Sequence, residues 1–150
     1  MSDNDRHGGP TTPGGRLAEL AFAHARAEER GDIEATLATF ERDACFELYP
    51  CGLRLSGSER IRRYYEHFFA VASKRIVAHT MHAHAAGDTA LTMEFTVTVA
   101  YADHSRRDFR ALTVFPYGET ALRGERIFAD VEFFRVLFGP LFAEMEPLAQ

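Results

Sequence analysis

The chain has 150 residues, with 17 Lys and Arg against 22 Asp and Glu and a formal net charge of −5. That length supports one domain with a real core, and the acidic balance argues against a nucleic-acid or anionic-membrane partner. No run of ~18 apolar residues occurs, so nothing reads as a helical membrane span. Residues 1–15, MSDNDRHGGPTTPGG, are polar, rich in Gly and Pro and without an apolar signal-peptide core. Such a composition cannot bury enough surface to order itself, which predicts a disordered lead before a single domain at 16–150. The two cysteines, Cys45 and Cys51, match no zinc spacing and make no disulfide framework. The expectation is free thiols in a reducing cytoplasm.

The first predicted helix covers 17–30. Leu17, Leu20, Ala21, His24 and Ala27 form its apolar stripe, and Gly31 ends it. His24 is thus a polar residue on a face that should be buried; the plain reading is a core histidine with a satisfied ring. Asp32 can cap a second, short helix that carries Ile33, Leu37 and Phe40 on one side. Residues 44–49 alternate as a strand, with Phe46 and Leu48 opposite Cys45, Glu47 and Tyr49. Ser56 with Glu59 three residues on predicts a capping box for a third helix, which carries Ile61, Tyr64, Tyr65, Phe68 and Phe69.

The remainder reads as sheet. Residues 74–86 form a strand with three histidines, His79, His82 and His84. His82 and His84 share a face at that period, but no carboxylate completes a metal site there. A solvated or subunit-facing surface is the expectation, with no metal. After the Ala86-Gly87-Asp88 turn, Leu91, Met93, Phe95, Val97 and Val99 alternate with polar residues along the next strand. A further strand covers 107–115, with Arg107, Phe109 and Ala111 on one side. The last predicted strand covers 125–134. One face holds Phe128, Asp130, Glu132 and Phe134; the other holds Ile127, Ala129, Val131 and Phe133. Burial logic alone sends Ile127, Val131 and Phe133 inward. A tail with Leu137, Phe138, Leu141 and Phe142 is broken by Gly139-Pro140. Helices first and sheet afterwards mean an α+β layer with one curved sheet.

The residues GDIEA at 31–35, Phe40, Asp43-Ala44 and the series Gly57, Ile61, Tyr65 resemble the ketosteroid isomerase and SnoaL-like polyketide cyclase branch of the nuclear transport factor 2-like superfamily. The resemblance covers roughly residues 17–137. It implies a cone-shaped α+β barrel of the cystatin-like type. Three N-terminal helices would pack on a strongly curved, mostly antiparallel sheet around a mostly apolar pocket. It also implies a homodimer through the outer sheet face.

The same resemblance implies site residues. His24 takes the position of the isomerases' oxyanion-binding Tyr, and Tyr65 that of a second Tyr bonded to it. The isomerase general base falls on Leu48 and the second oxyanion donor on Ala111, so that mechanism is not retained. Aligning Arg126-Ile127 turns Asp130, Glu132 and Phe134 toward the pocket, against the burial logic. In a dry cavity those acids, ~7 Å apart on one strand face, would lose hydration and have their pKa raised.

The resulting expectation is a cofactor-free lyase, isomerase or cyclase acting by acid/base chemistry on a hydrophobic, carbonyl-bearing small molecule. Asp130 would be the acid/base, with His24 and Glu132 assisting. Tyr65, Phe46, Leu48, Met93, Phe95, Phe109, Phe128 and Phe134 would line the pocket, with Arg107 at its rim. The alternatives are a non-catalytic small-molecule-binding or accessory dimer, and an interaction module whose phenylalanines pack the cone shut.

Overall fold

The computed structural model describes residues 13–149. Most of the expected lead at 1–15 lies outside those residues, and helix α1 (Pro13–Glu29) already starts at Pro13. Helix α2 (Ile33–Leu37) is capped as the sequence suggests: Asp32 Oδ1 accepts from the Ala35 N–H at 3.0 Å. Helix α3 (Ser58–His67) follows two strands and continues through a π-helical turn, Phe68–Ala72, into the single turn α4 (Ser73–Arg75). The capping box foreseen at Ser56 is absent. Gly57 is the N-cap, without a side-chain cap, because Ser56 still belongs to a strand and its hydroxyl turns to Cys45 Sγ.

Seven strands form one open mixed sheet: β1 (Phe40–Tyr49), β2 (Leu53–Ser56), β3 (Ile76–Ala86), β4 (Ala90–Ala100), β5 (Arg106–Pro116), β6 (Leu122–Phe128) and β7 (Glu146–Pro147). Their order is β3-β4-β5-β6-β1-β2-β7. Among the described residues only β1 and β6 run parallel, and their register slips between Phe40 and Cys45. Gly124 sits at that irregularity with φ +120°, where a Cβ would overlap the Cys45 carbonyl. Glycine is required there both for the backbone conformation and for the close approach of the paired strand β1.

Period-2 burial works as expected on the central strands. Ala44, Phe46 and Leu48 of β1, Leu91, Met93, Val97 and Val99 of β4, and Phe109, Ala111 and Phe115 of β5 are buried. Edge strand β3 is exposed along nearly its whole length. It carries a one-residue bulge between Met81 and Ala83. The bulge splits the histidines that were expected on one face: His82 bonds Thr96 Oγ1 at 2.8 Å, whereas His84 meets the Phe22 ring of α1.

The end of the chain departs from expectation. The strand read through 125–134 stops at Phe128, and Asp130 caps helix α5 (Val131–Phe138) by accepting from the Glu132 N–H at 2.7 Å. Phe133, Phe134, Leu137 and Phe138 turn into the core, followed by Leu141 from a 3₁₀ turn at Gly139–Glu144. Their rings stack on partners across the cone, Phe133 on Phe109 at 5.2 Å and Phe138 on Tyr64 at 4.5 Å. Burying such an aromatic face is what holds an eight-residue helix in place. No described helix is long and apolar enough to cross a membrane. Cys45 and Cys51 are free.

Candidate functional site

Asp130 and Glu132 do not face a dry pocket. They are 45% and 41% exposed at the N-terminus of α5, where Arg107 bonds both. Tyr101 adds a hydrogen bond to Glu132 at 2.6 Å. The physical reason is the early end of β6: helical geometry replaces the strand phase, so the desolvation expected of these acids is missing. Arg107 is exposed on β5, its guanidinium 4.8 Å from the centre of the Phe109 ring, and it borders neither of the two clefts described below. Phe128 is also reversed. It points outward, 42% exposed and stacked on Tyr49, while Ile127 is buried, as burial logic alone required.

The remaining candidate lining residues are core. Phe46, Leu48 and Phe134 are fully buried, Met93 and Phe109 nearly so, and Phe95 is packed against both core clusters. None of them lines either of two clefts that open on the described surface. Those are surface clefts of about 380 Å³, between α2, α3 and β1, and about 780 Å³, between β1 and the β5–β6 connection. Both include Phe40, whose ring also packs on His24 at 4.7 Å and stacks on Tyr65 at 6.4 Å.

Behind Phe40 lies the polar centre of the molecule. His24 is wholly buried. Its Nε2 is 3.2 Å from the Tyr65 hydroxyl, 3.3 Å from Glu125 Oε1 and 3.7 Å from Glu28 Oε1. Tyr65 donates to Glu125 Oε1 at 3.2 Å. On the ring's other side Nδ1 is 2.8 Å from Thr39 Oγ1, which donates its own proton to the Thr36 carbonyl at 2.6 Å. A hydroxyl has one proton to give. Thr39 must therefore accept, and Nδ1 must carry the hydrogen.

Each element has a reason to deliver its residue. His24 and Glu28 are one helical turn apart on α1. Thr39 follows α2, whose cap fixes the turn leading into β1. Tyr65 belongs to the buried face of α3. Glu125 follows Gly124, where the slipped register places it among the buried residues of β6. Sequence reasoning paired His24 with Tyr65 and missed Glu28, Thr39 and Glu125.

The electrostatics follow from this packing. Burial alone would lower the His24 pKa, but hydrogen bonds to Glu125 and Glu28 and their charges outweigh it, and the imidazole is pushed up to about 10. Burial, helped by the Glu28 charge, raises the Glu125 carboxyl against the pull of His24 and Tyr65. Burial and the same two carboxylates push the Tyr65 phenol well above its usual range. The His24 ring is therefore an imidazolium at neutral pH, set against Glu125 and Glu28, with a neutral Tyr65 phenol as donor. It can hold a proton, give one up to a stronger base or stabilise a developing oxyanion.

A SnoaL-like domain model matches residues 21–137. Solved structures share the fold at low identity. A protein from a soil-derived mobile gene cassette, Bal32a, has TM-score 0.66 and 14% identity, over 82% of this chain and 96% of that one. A candidate polyketide cyclase from Xanthomonas campestris has TM-score 0.63 and 15% identity, over 83% and 97%. The epoxide hydrolase/cyclase-like enzyme SalBIII of pyran ring formation in salinomycin has TM-score 0.62 and 18% identity, over 78% and 92%. A search of curated proteins found no match. With helices laid on an open seven-stranded mixed sheet and the domain model covering most of the sequence, the chain belongs to the SnoaL-like domain family, and its fold is the one seen in nuclear transport factor 2-like proteins.

Proposed function

We propose that this protein performs cofactor-independent proton transfer, of cyclase or isomerase type, on an apolar carbonyl-bearing small molecule in the cytoplasm. The reacting groups are His24, Tyr65 and Glu125. One observation carries the reading: these three polar side chains, with Thr39 and Glu28 beside His24, converge next to Phe40, a residue that lines a surface cleft of about 380 Å³. That volume lies in the range of small-molecule sites. Phe40 is the gate; its rotation joins the cleft to the cluster. Glu125 then accepts a proton next to the carbonyl, while the His24 imidazolium and the Tyr65 hydroxyl stabilise the enolate oxygen. The cyclase-like fold neighbours support the class of reaction.

The test is deuterium exchange at the carbon beside the carbonyl of an aryl-alkyl ketone such as α-tetralone, followed by proton NMR in D₂O. Exchange faster than buffer, lost ~100-fold or more in Glu125→Gln, is the expected result, since general acid/base groups contribute at that level. Asp130→Asn should stay within about threefold of the wild type, because that carboxylate is exposed at a helix cap. No exchange across a panel of such ketones sinks the proposal.

A second reading has its own support. Phe46, Leu48, Phe134 and Phe138 are fully buried inside the cone, as a non-catalytic binding or accessory domain would allow. Dimerisation through the outer sheet face accompanies it, with the exposed Phe128–Tyr49 stack as a contact.

A further inference from the structure

The buried centre also has the donor set and spacing of a metal cage; an ion there replaces the ring proton used in the catalytic reading, so the two uses of the centre exclude each other. We propose that His24 Nε2, Glu28 Oε1, Glu125 Oε1 and the Tyr65 hydroxyl form a four-cornered site for one first-row divalent cation.

The first argument is distance. A tetrahedral ion with bonds of ~2.0–2.2 Å needs ligand atoms ~3.3–3.6 Å apart. Nε2 stands 3.3 Å from Glu125 Oε1, 3.7 Å from Glu28 Oε1 and 3.2 Å from the Tyr65 oxygen. The Tyr65 oxygen is 3.2 Å from Glu125 Oε1, and the histidine and the two glutamates offer ligand atoms all within 4.8 Å of one another. Small side-chain adjustments close the cage.

The second argument is the tautomer. Thr39 has committed its proton to the Thr36 carbonyl, so the hydrogen of a neutral imidazole must sit on Nδ1. The lone pair then points from Nε2 into the cage. A ligating histidine held through its other nitrogen is the arrangement metal sites use to fix the ring.

The third argument is ligand chemistry. Imidazole with carboxylates and a phenol suits Zn²⁺, Co²⁺, Fe²⁺ or Mn²⁺ rather than thiolate-seeking ions. Glu28, 29% exposed at its side chain, gives an ion a path from solvent. Among the described residues the β3 histidines make no such group.

The experiment uses the full-length protein stripped with chelator. Zn²⁺ is titrated by calorimetry, and Co²⁺ is followed by its visible absorption, which is intense for four-coordinate ions. One ion per chain, a raised Tm and a four-coordinate Co²⁺ spectrum are expected. Glu28→Gln, at a half-buried position that tolerates the change, should weaken binding at least ~10-fold. Thr39→Val should weaken it ~10- to 100-fold, the usual effect of losing a supporting hydrogen bond. His82→Ala, on the exposed edge strand, should change nothing. No uptake overturns the proposal, as does uptake that survives both Glu28→Gln and Glu125→Gln.

Discussion

Stability should fall as pH rises from near neutrality, and His24 sets the slope. Its pKa is about 10 in the folded protein against 6.5 ordinarily. Between those values the folded state holds one proton that the unfolded state has released. The dependence of unfolding free energy on pH is then negative, ~1.4 kcal/mol per pH unit for one proton. The stabilisation is fully present below pH ~6.5 and is lost as pH rises through ~10. Between pH 7 and 9 it amounts to a few kcal/mol, a large share of a typical domain's stability. Glu125 acts in the same direction at lower pH, since its carboxyl is also raised. The assay is urea unfolding of chelator-treated protein at several pH values, with His24→Gln as the reference that removes the background from Cys45 and other alkaline groups. Nitrogen-edge NMR of the histidine rings gives an independent reading if the variant does not fold: His24 should still be doubly protonated at pH 8. A wild-type slope equal to that of the variant, or a neutral ring at pH 8, refutes the ion cluster.

Three substitutions test the packing around that centre. Phe134→Ala removes a fully buried ring from the cone and should cost ~3–5 kcal/mol in urea unfolding. Thr39→Val leaves the Nδ1–H and the Thr36 carbonyl without their shared partner and should cost ~1–3 kcal/mol, with near-native circular dichroism. Gly124→Ala puts a methyl group into the Cys45 carbonyl at a backbone angle side chains avoid, so soluble expression should collapse; a well-folded variant would show that the pairing of β1 with β6 at Cys45 is looser than described.

The scaffold was legible because its signals are local. The Asp32 cap, the Phe46–Leu48 phase and the alternation along Leu91–Val99 each depend on neighbours in sequence. The last element was misread although its signals were present. Asp130 with an acid at the second helical position, Phe133, Phe134, Leu137 and Phe138 at helical spacing, and Gly139 beyond them spell a capped helix. A short apolar run also fits a strand, and the family alignment tipped the reading toward that phase. The buried centre was half legible. His24 on an apolar stripe demanded a partner, and Glu28 one turn later was the nearest offer. Glu125 lies about a hundred residues away and reaches His24 only through the slip at Gly124, which no local pattern encodes. Thr39 looked like any threonine between a helix and a strand.

Why the chain keeps ions in an aromatic interior can itself be tested. Well-packed apolar sets of similar volume often replace buried ionic groups at no loss, or with a gain of ~1–4 kcal/mol, whereas deleting one member strands the rest. His24→Leu, Thr39→Val and Glu125→Leu made together, with Tyr65→Phe, should therefore unfold at higher urea than any of the four made singly. The neighbours of the cluster include Phe40 and Phe115, rings that can accommodate apolar replacements. If the combined variant is as stable as the wild type, folding does not need these ions. Their presence then calls for a ligand, a proton or a cation to explain it. If it is less stable than the worst single variant, the cluster is the fastening between α1, α3 and β6, and both the catalytic and the metal readings lose their chief support.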